Sequence, residues 1–240
     1  MKPYKKPHLK LSLRQKFNTT RALGITAVIM IIIGGVLFYK FGYIEDTLAD
    51  KIDIKQTKNI RGAGNMIHFK HQNDVIQVPH HSSLNLRDSF TIETWFLPLG
   101  FGNNFFNDPV VGKHSSGQGW EIRAGGSDRE LGFMITLPNN GCRFNHCELK
   151  SPHPLQKNIW THVAVTYEHE SSTNTSFVKL YHNGILVNEG IYTGKVSMSS
   201  IDFTIGKNTE WGNRSFNGYI DDVRYWSSVR TEAEIQQNMT

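Results

Sequence analysis

The chain has 240 residues, room for one or two domains, and its 20% charged and 11% aromatic content is that of a folded globular part. The formal charge is +5, but residues 1–21 hold seven Lys or Arg and no acid, so 19 of the 26 bases remain against all 21 acids in the rest. The basic excess therefore belongs to a tail, and the folded part has no charge that would favour nucleic acid as a partner.

After the tail, Ala22 to Tyr39 is a run of eighteen uncharged residues, A-L-G-I-T-A-V-I-M-I-I-I-G-G-V-L-F-Y. At about 1.5 Å per residue such a helix nearly spans a hydrocarbon core of about 30 Å. Strong basicity before it and mixed charge after it (Lys40, Glu45, Asp46, Asp50, Lys51, Asp53) place the N-terminus in the cytoplasm and everything beyond residue 40 outside. A cleaved signal peptide is the rival reading. It would have a shorter apolar core and a small-x-small site, and Tyr39-Lys40-Phe41-Gly42-Tyr43 offers none. The expected object is thus a single-pass membrane protein: basic tail 1–21, signal-anchor helix 22–39, stalk 40–63, and a domain at 64–240 that is periplasmic or extracellular. In the stalk, Ile44, Leu48 and Ile52 recur every four residues between charges, an amphipathic helical pattern. It reads either as a continuation of the membrane helix or as a contact face for a partner or second copy.

From Met66 the chain breaks into short runs separated by turn residues. Alternation predicts strands at 66–70, 75–78, 90–97, 110–112, 119–123, 130–136, 160–167, 177–182, 185–188, 201–205 and 219–226. In F-T-I-E-T-W-F, Phe90, Ile92 and Phe96 share a face. Asn183-Gly184 between two alternating runs is a hairpin signal. Thr231 followed three residues later by Glu234 predicts one short closing helix. Many short strands at this spacing mean an all-β, two-sheet sandwich.

The order of these segments carries a resemblance. V-I-Q-V-P-H-H-S-S-L-N-L-R-D-S-F-T-I-E-T-W-F-L-P from Val75, V-G-K at 111–113, G-W-E-I-R at 119–123, W-T-H-V-A-V-T-Y from Trp160, the N-G hairpin, T-I-G-K at 204–207 and F-N-G-Y-I-D-D-V-R-Y-W from Phe216 resemble the laminin-G-like, concanavalin-A-like jelly-roll modules over about 66–236. The resemblance implies an antiparallel jelly roll that binds sugars or proteins and seldom catalyses. One departure stands out: after Phe69 the family often has aspartate and glycine, and here Lys70 and His71 follow.

Cys142 and Cys147 are the only cysteines. Outside the cytoplasm they are expected to form a disulfide; a metal site with His146 is the rival, with no fourth ligand in view. The resemblance implies that Asp221 or Asp222, near the last strand, could help hold a structural calcium; the alternative is a hydrogen-bonded or salt-bridged aspartate beside Arg224 or Arg123. For a ligand, the candidate loops are Gly100–Asp108 with Phe105, Gly141–Cys147 with Arg143, and 211–214 with Trp211 and Asn213, because sugars stack on aromatic faces beside a few fixed polar groups. The same aromatics could instead close the ends of the core.

No metalloprotease histidine motif and no E-x-D-x-x-E run occurs, and Glu93 and Glu121 each stand alone on a strand. The reading is therefore a non-enzymatic, membrane-anchored recognition module that binds a glycan or a protein partner. A structural subunit of a larger envelope assembly is the alternative, with an oligomer as one form of it; a glycoside hydrolase is the weakest of the three.

Overall fold

The computed structural model describes residues 66–102, 108–115, 117–126, 128–138, 142, 146–198, 200–210 and 214–239. The tail, anchor and stalk expected at 1–63 lie outside them. Among the described residues no helix is long and apolar enough to cross a membrane.

Alternating apolar residues produce twelve strands here: β1 (Ile67–Phe69), β2 (Ile76–Val78), β3 (Ser89–Pro98), β4 (Pro109–Ser115), β5 (Gln118–Gly125), β6 (Glu130–Thr136), β7 (His146–Lys150), β8 (Thr161–Glu170), β9 (Thr175–His182), β10 (Ile185–Thr193), β11 (Phe203–Ile205) and β12 (Gly218–Trp226). One helix, α1 (Glu232–Asn238), follows. The strands form two six-stranded sheets, A in the order β1-β12-β3-β8-β9-β10 and B in the order β2-β11-β4-β5-β6-β7. Every pairing is antiparallel. This is the two-sheet sandwich that the alternation predicts, jelly-roll-like as the resemblance implies.

Period two decides which side chains fill the space between the sheets. Sheet A contributes Phe90, Ile92, Phe96, Val163, Val165, Tyr167, Val178 and Leu180; sheet B contributes Trp120, Ile122, Ala124, Leu131, Phe133 and Ile135. Trp120 stands at the centre, its ring 5.6 Å from Phe90, 5.4 Å from Tyr225, 5.7 Å from Phe203 and 6.2 Å from Phe133. Large side chains buried this way contribute about 1.5–3 kcal/mol each, so this cluster fastens one sheet to the other.

The local signals resolve as the residue types require. Asn183 and Gly184 both take positive φ, 53° and 76°, the left-handed pair that a two-residue hairpin needs to match strand twist. Thr231 accepts from the Glu234 backbone amide while the Glu234 carboxylate accepts from Thr231, a complete capping box. Where the Asp-Gly turn after Phe69 is absent, Asp74 takes over: its carboxylate accepts from the amides of Lys70 and His71, both at 2.8 Å. One strand, β7, is not among those expected. H-C-E-L-K is only five residues long, yet it alternates, with Cys147 and Leu149 in the core and Glu148 outward.

Strand β3 is buried on both faces. Its inner residues meet sheet B. Its outer face is covered by the chain's own C-terminal segment: Thr91 Oγ1 donates to Ser228 O at 2.8 Å and accepts from Arg230 N at 2.9 Å. Trp226 Nε1 donates to Glu93 Oε1 at 2.6 Å, and His162 Nε2 lies 3.4 Å from Glu93 Oε2. Further along the same face, Ile235 of α1 packs on Ala164, Tyr181 and Leu186.

Candidate functional site

The outward face of sheet B carries a second set of buried polar side chains. In β5, Trp120, Ile122 and Ala124 face the core, so Glu121 and Arg123 between them must point away. Register sets Gly112 of β4 and Met134 of β6 beside Glu121, and Glu148 of β7 beside Met134. A side chain at Gly112 would meet Glu121 Cγ at 3.1 Å, so the glycine leaves Glu121 room to lie across the sheet.

These residues are joined. Arg123 Nε donates to Glu121 Oε2 at 2.5 Å, and its NH1 lies 3.7 Å from Glu148 Oε1. Asn208, just after β11, donates from Nδ2 to Glu121 Oε1 at 2.7 Å, and the same nitrogen lies 3.3 Å from His114 Nδ1. Asn208 Oδ1 accepts from Glu210 N at 3.0 Å, which fixes the amide's orientation. Since that NH₂ can only donate, His114 Nδ1 accepts and the proton sits on Nε2. Among the described residues that Nε2 has no hydrogen-bond partner, although the His114 ring meets the His146 ring edge-on at 5.5 Å. His146 Nδ1 in turn lies 3.1 Å from Thr136 Oγ1.

Burial sets the charge states. Glu121, Arg123, Asn208 and His114 are buried, whereas Glu148, His146 and Arg214 reach solvent. Burial pushes His114 down to about 4, helped by Arg123, His146 and Arg214 and opposed by Glu121. Burial also lowers His146, with Arg123 adding to it and Glu148 opposing. Arg214 is lowered by burial and by Arg123, against Glu121. The face therefore offers fixed carboxylate acceptors, guanidinium groups and a neutral imidazole N–H. It offers no activated nucleophile. Glu121 and Glu148 face the same guanidinium.

Phe105, Arg143, Trp211 and Asn213, the ligand candidates read from the loops, lie outside the described residues. Residues that flank them are described: the first segment joins β3 of sheet A to β4 of sheet B, the second joins β6 to β7 within sheet B, and the third joins β11 of sheet B to β12 of sheet A. Asp108 accepts from Gly102 N at 2.6 Å through its side chain and from Ala124 N at 2.8 Å through its carbonyl. Burial raises its carboxyl to about 6, with the Gly102 amide opposing. Cys142 and Cys147 are bonded, with Cα atoms 5.3 Å apart, which ties Cys142 to the first residues of β7. Asn208 N donates to Arg214 O at 3.2 Å, bringing the two flanks of residues 211–213 together. Asp108 enters β4 beside Arg123 and His146 begins β7 beside Thr136, so these two flanking residues stand at opposite ends of the sheet.

Asp221 and Asp222 are elsewhere, on sheet A. A bulge separates Asp221 from Arg224, and Asp222 takes φ 51°. Asp222 N donates to Asp221 Oδ1 at 2.9 Å, and Asp222 Oδ2 lies 3.7 Å from Arg224 NH2. Calcium asks for six to eight oxygens. One carboxylate turns to a guanidinium and the other to a backbone amide, and among the described residues no three His, Cys, Asp or Glu gather as metal ligands.

The Glu121–Arg123–Asn208–His114 network was not foreseen as a unit. Its available signal was G-W-E-I-R, where two charges alternate with core residues; Asn208 and His114 are brought in only by pairing across the sheet.

Residues 70–236 match a family model described as the concanavalin A-like lectin/glucanases superfamily. The chain belongs to this family. A comparison with curated proteins finds no match. Among solved structures, domain 4 of an extracellular arabinanase from Geobacillus stearothermophilus, in complex with arabinotriose, is similar at TM-score 0.56 and 15% identity, covering 75% of this chain and 84% of that one. A protein from Bacteroides ovatus assigned as carbohydrate-binding is similar at TM-score 0.52 and 26% identity, covering 73% of this chain and 46% of that one. The binding domain of a paraclostridial mosquitocidal protein is similar at TM-score 0.53 and 16% identity, covering 74% and 45%. This family member thus spans less than half the length of the last two. The likenesses below 25% identity show the shared sandwich fold.

Proposed function

We propose that the chain is a membrane-anchored recognition module whose sandwich binds a glycan on the outward face of sheet B, outside the cytoplasm. The observation that carries this reading is the convergence of Glu121, Arg123, Asn208 and His114 from different elements onto a face that does not belong to the core. Buried polar groups are costly unless paired. Here they are fixed in place beside Glu148, His146 and Arg214, which reach solvent. A saccharide has hydroxyls that both donate and accept, and matches a surface of carboxylates, guanidinium groups and an imidazole N–H. The carbohydrate-binding assignment of the Bacteroides relative and the arabinotriose complex of the arabinanase domain support the ligand class. The seven bases before Ala22–Tyr39 support the anchor and its N-in orientation.

The test uses the full-length protein, solubilised in a detergent that is not itself a glycoside, on an array of neutral and acidic oligosaccharides. Arg214→Ala should weaken capture at least tenfold with unchanged melting, because truncating a key polar contact in a small interface costs about 2 kcal/mol. Capture equal to the parent's would reject the site. A blank array beside a stable co-purifying protein complex would reject the glycan and favour the structural subunit. Protease outside sealed cells should remove the domain and spare the tail; a protected domain would overturn the anchored topology.

A further inference from the structure

The outward face of sheet A holds a cavity of about 350 Å³ that the sheet B network does not touch. Its floor is laid by outward residues of β8 and β9, and one wall is the segment that leads into α1, with Val229, Arg230, Thr231 and Glu232 lining it. The register explains the floor: Phe177 lies beside Glu168, Lys179 beside Thr166 and Tyr181 beside Ala164. Phe177 is also the cross-strand partner of Ile191 on β10. Phe177 is 39% exposed and Ile191 70% exposed, so an apolar platform adjoins the cavity and faces water.

We propose that this cavity is a second saccharide subsite, for a neutral sugar unit, with the Phe177 ring as its stacking platform. The proposal rests on the reading of this domain as a glycan binder and extends it to the opposite face of the sandwich. Three observations carry it. The volume lies in the lower range of small-ligand pockets, about 300–1,000 Å³. An exposed aromatic in mid-strand gives one flat apolar surface, the partner a pyranose presents its C–H face to. The charged lining is balanced, with Glu168 and Glu232 against Lys179 and Arg230. A charged ligand gains nothing net from that balance. A neutral ring of hydroxyls can donate to the two carboxylates and accept from the two cations.

One cation, Arg230, and the floor are fixed before any ligand arrives. Arg230 lies over the Trp226 ring, 4.5 Å from its centroid, and 3.5 Å from Glu234 through NH1. Tyr181 is 5% exposed. Burial raises its hydroxyl pKa, Glu232 adds to this, and a hydrogen bond with Thr166 opposes it. The floor is therefore a neutral phenol held by a neighbouring threonine. Groups already held in place lose little freedom on binding, which is the advantage of preorganisation.

The experiment compares Phe177→Ala, Phe177→Leu, Phe177→Tyr and Arg214→Ala in the full-length protein, in the same detergent and on the same oligosaccharide array. A set of neutral oligosaccharides should be captured by the parent and by Phe177→Tyr, and lost at least tenfold by Phe177→Ala and Phe177→Leu. Phe177→Leu should melt with the parent, since it keeps apolar bulk and removes only the ring; this separates stacking from folding. If Phe177→Ala and Phe177→Leu keep the parent's whole pattern, the cavity is not a subsite, whatever Arg214→Ala does. If Arg214→Ala keeps the whole pattern and the Phe177 variants lose it, the cavity stands and the sheet B site falls. A parent blank for every neutral oligosaccharide overturns the subsite.

Discussion

Glu93 and Glu121 are both buried glutamates pointing away from the core, one on each sheet, yet their surroundings differ. Glu93 lies under the protein's own C-terminal segment, between Trp226 Nε1 and His162 Nε2. Glu121 lies among Arg123, Asn208 and His114, with loops arising around it and with partially exposed Glu148, His146 and Arg214 at the margin. Around Glu93 the polar pair is sealed by chain that arrives late in sequence, and that part of the sheet A face holds the fold together. On sheet B the network keeps an N–H of His114 without a partner among the described residues. The comparison separates a patch that the protein's own chain seals from a patch where buried polar groups stand beside groups that reach solvent.

The strongest way to break this contrast is Glu93→Ala. Removing one member of a buried pair leaves its partners desolvated and unpaired, a cost of about 3–5 kcal/mol. Urea unfolding should show a loss of that size. A loss below about 1 kcal/mol would mean that the sealed face does not depend on the pair.

Acid sharpens the contrast next. His114 titrates at about 4 in the fold against an ordinary 6.5, and so does His182, which burial and His153 push down to about 4. Both favour the neutral form when folded, so their contribution is complete above pH 6.5 and is lost as pH falls towards 4. Asp108 acts oppositely. Raised from 3.8 to about 6, its contribution is complete below 3.8 and lost as pH rises through 6. Two histidines against one aspartate should make stability fall between pH 7 and 4. His114→Asn should flatten that slope, measured by urea midpoints across the range. A slope equal to the parent's would show that His114 is not buried neutral.

The smallest effect is expected at the margin of the sheet B face. Cys142→Ser with Cys147→Ser opens a short loop, and short loops give disulfides the low end of their usual range, about 2 kcal/mol. The domain should still fold, with the loop of Arg143 loosened and glycan capture reduced. Failure to fold would place the disulfide in the core's stability rather than at the site's edge.

Much of the sandwich was legible in the sequence because its signals are local. Alternation in F-T-I-E-T-W-F, the Asn183-Gly184 hairpin and the Thr231–Glu234 cap are each decided within a few residues by side-chain direction, positive φ and capping geometry. β7 escaped because five residues give too little alternation to register, although Cys147 and Leu149 do face inward. The candidate site was less legible. Glu121 and Arg123 could have been paired from their spacing of two, but the loop aromatics drew the attention instead.

What the sequence determined by itself is therefore the set of strands, their inward faces and the family grammar, together with the charge asymmetry of the tail and the apolar run that leads the anchor reading. Only the tertiary structure decided which outward residues are buried and by what. Glu93 became a sealed residue because a segment more than a hundred positions later folds over it, as the Trp226 and Arg230 contacts show. Lys113, an unremarkable charge in V-G-K, became fully buried with its ammonium donating to the Ile201 carbonyl. The cavity beside Phe177 exists because the approach to α1 stands as a wall over β9. Each of these depends on strand order and on coverage by distant chain, and a pattern of period two carries no information about either.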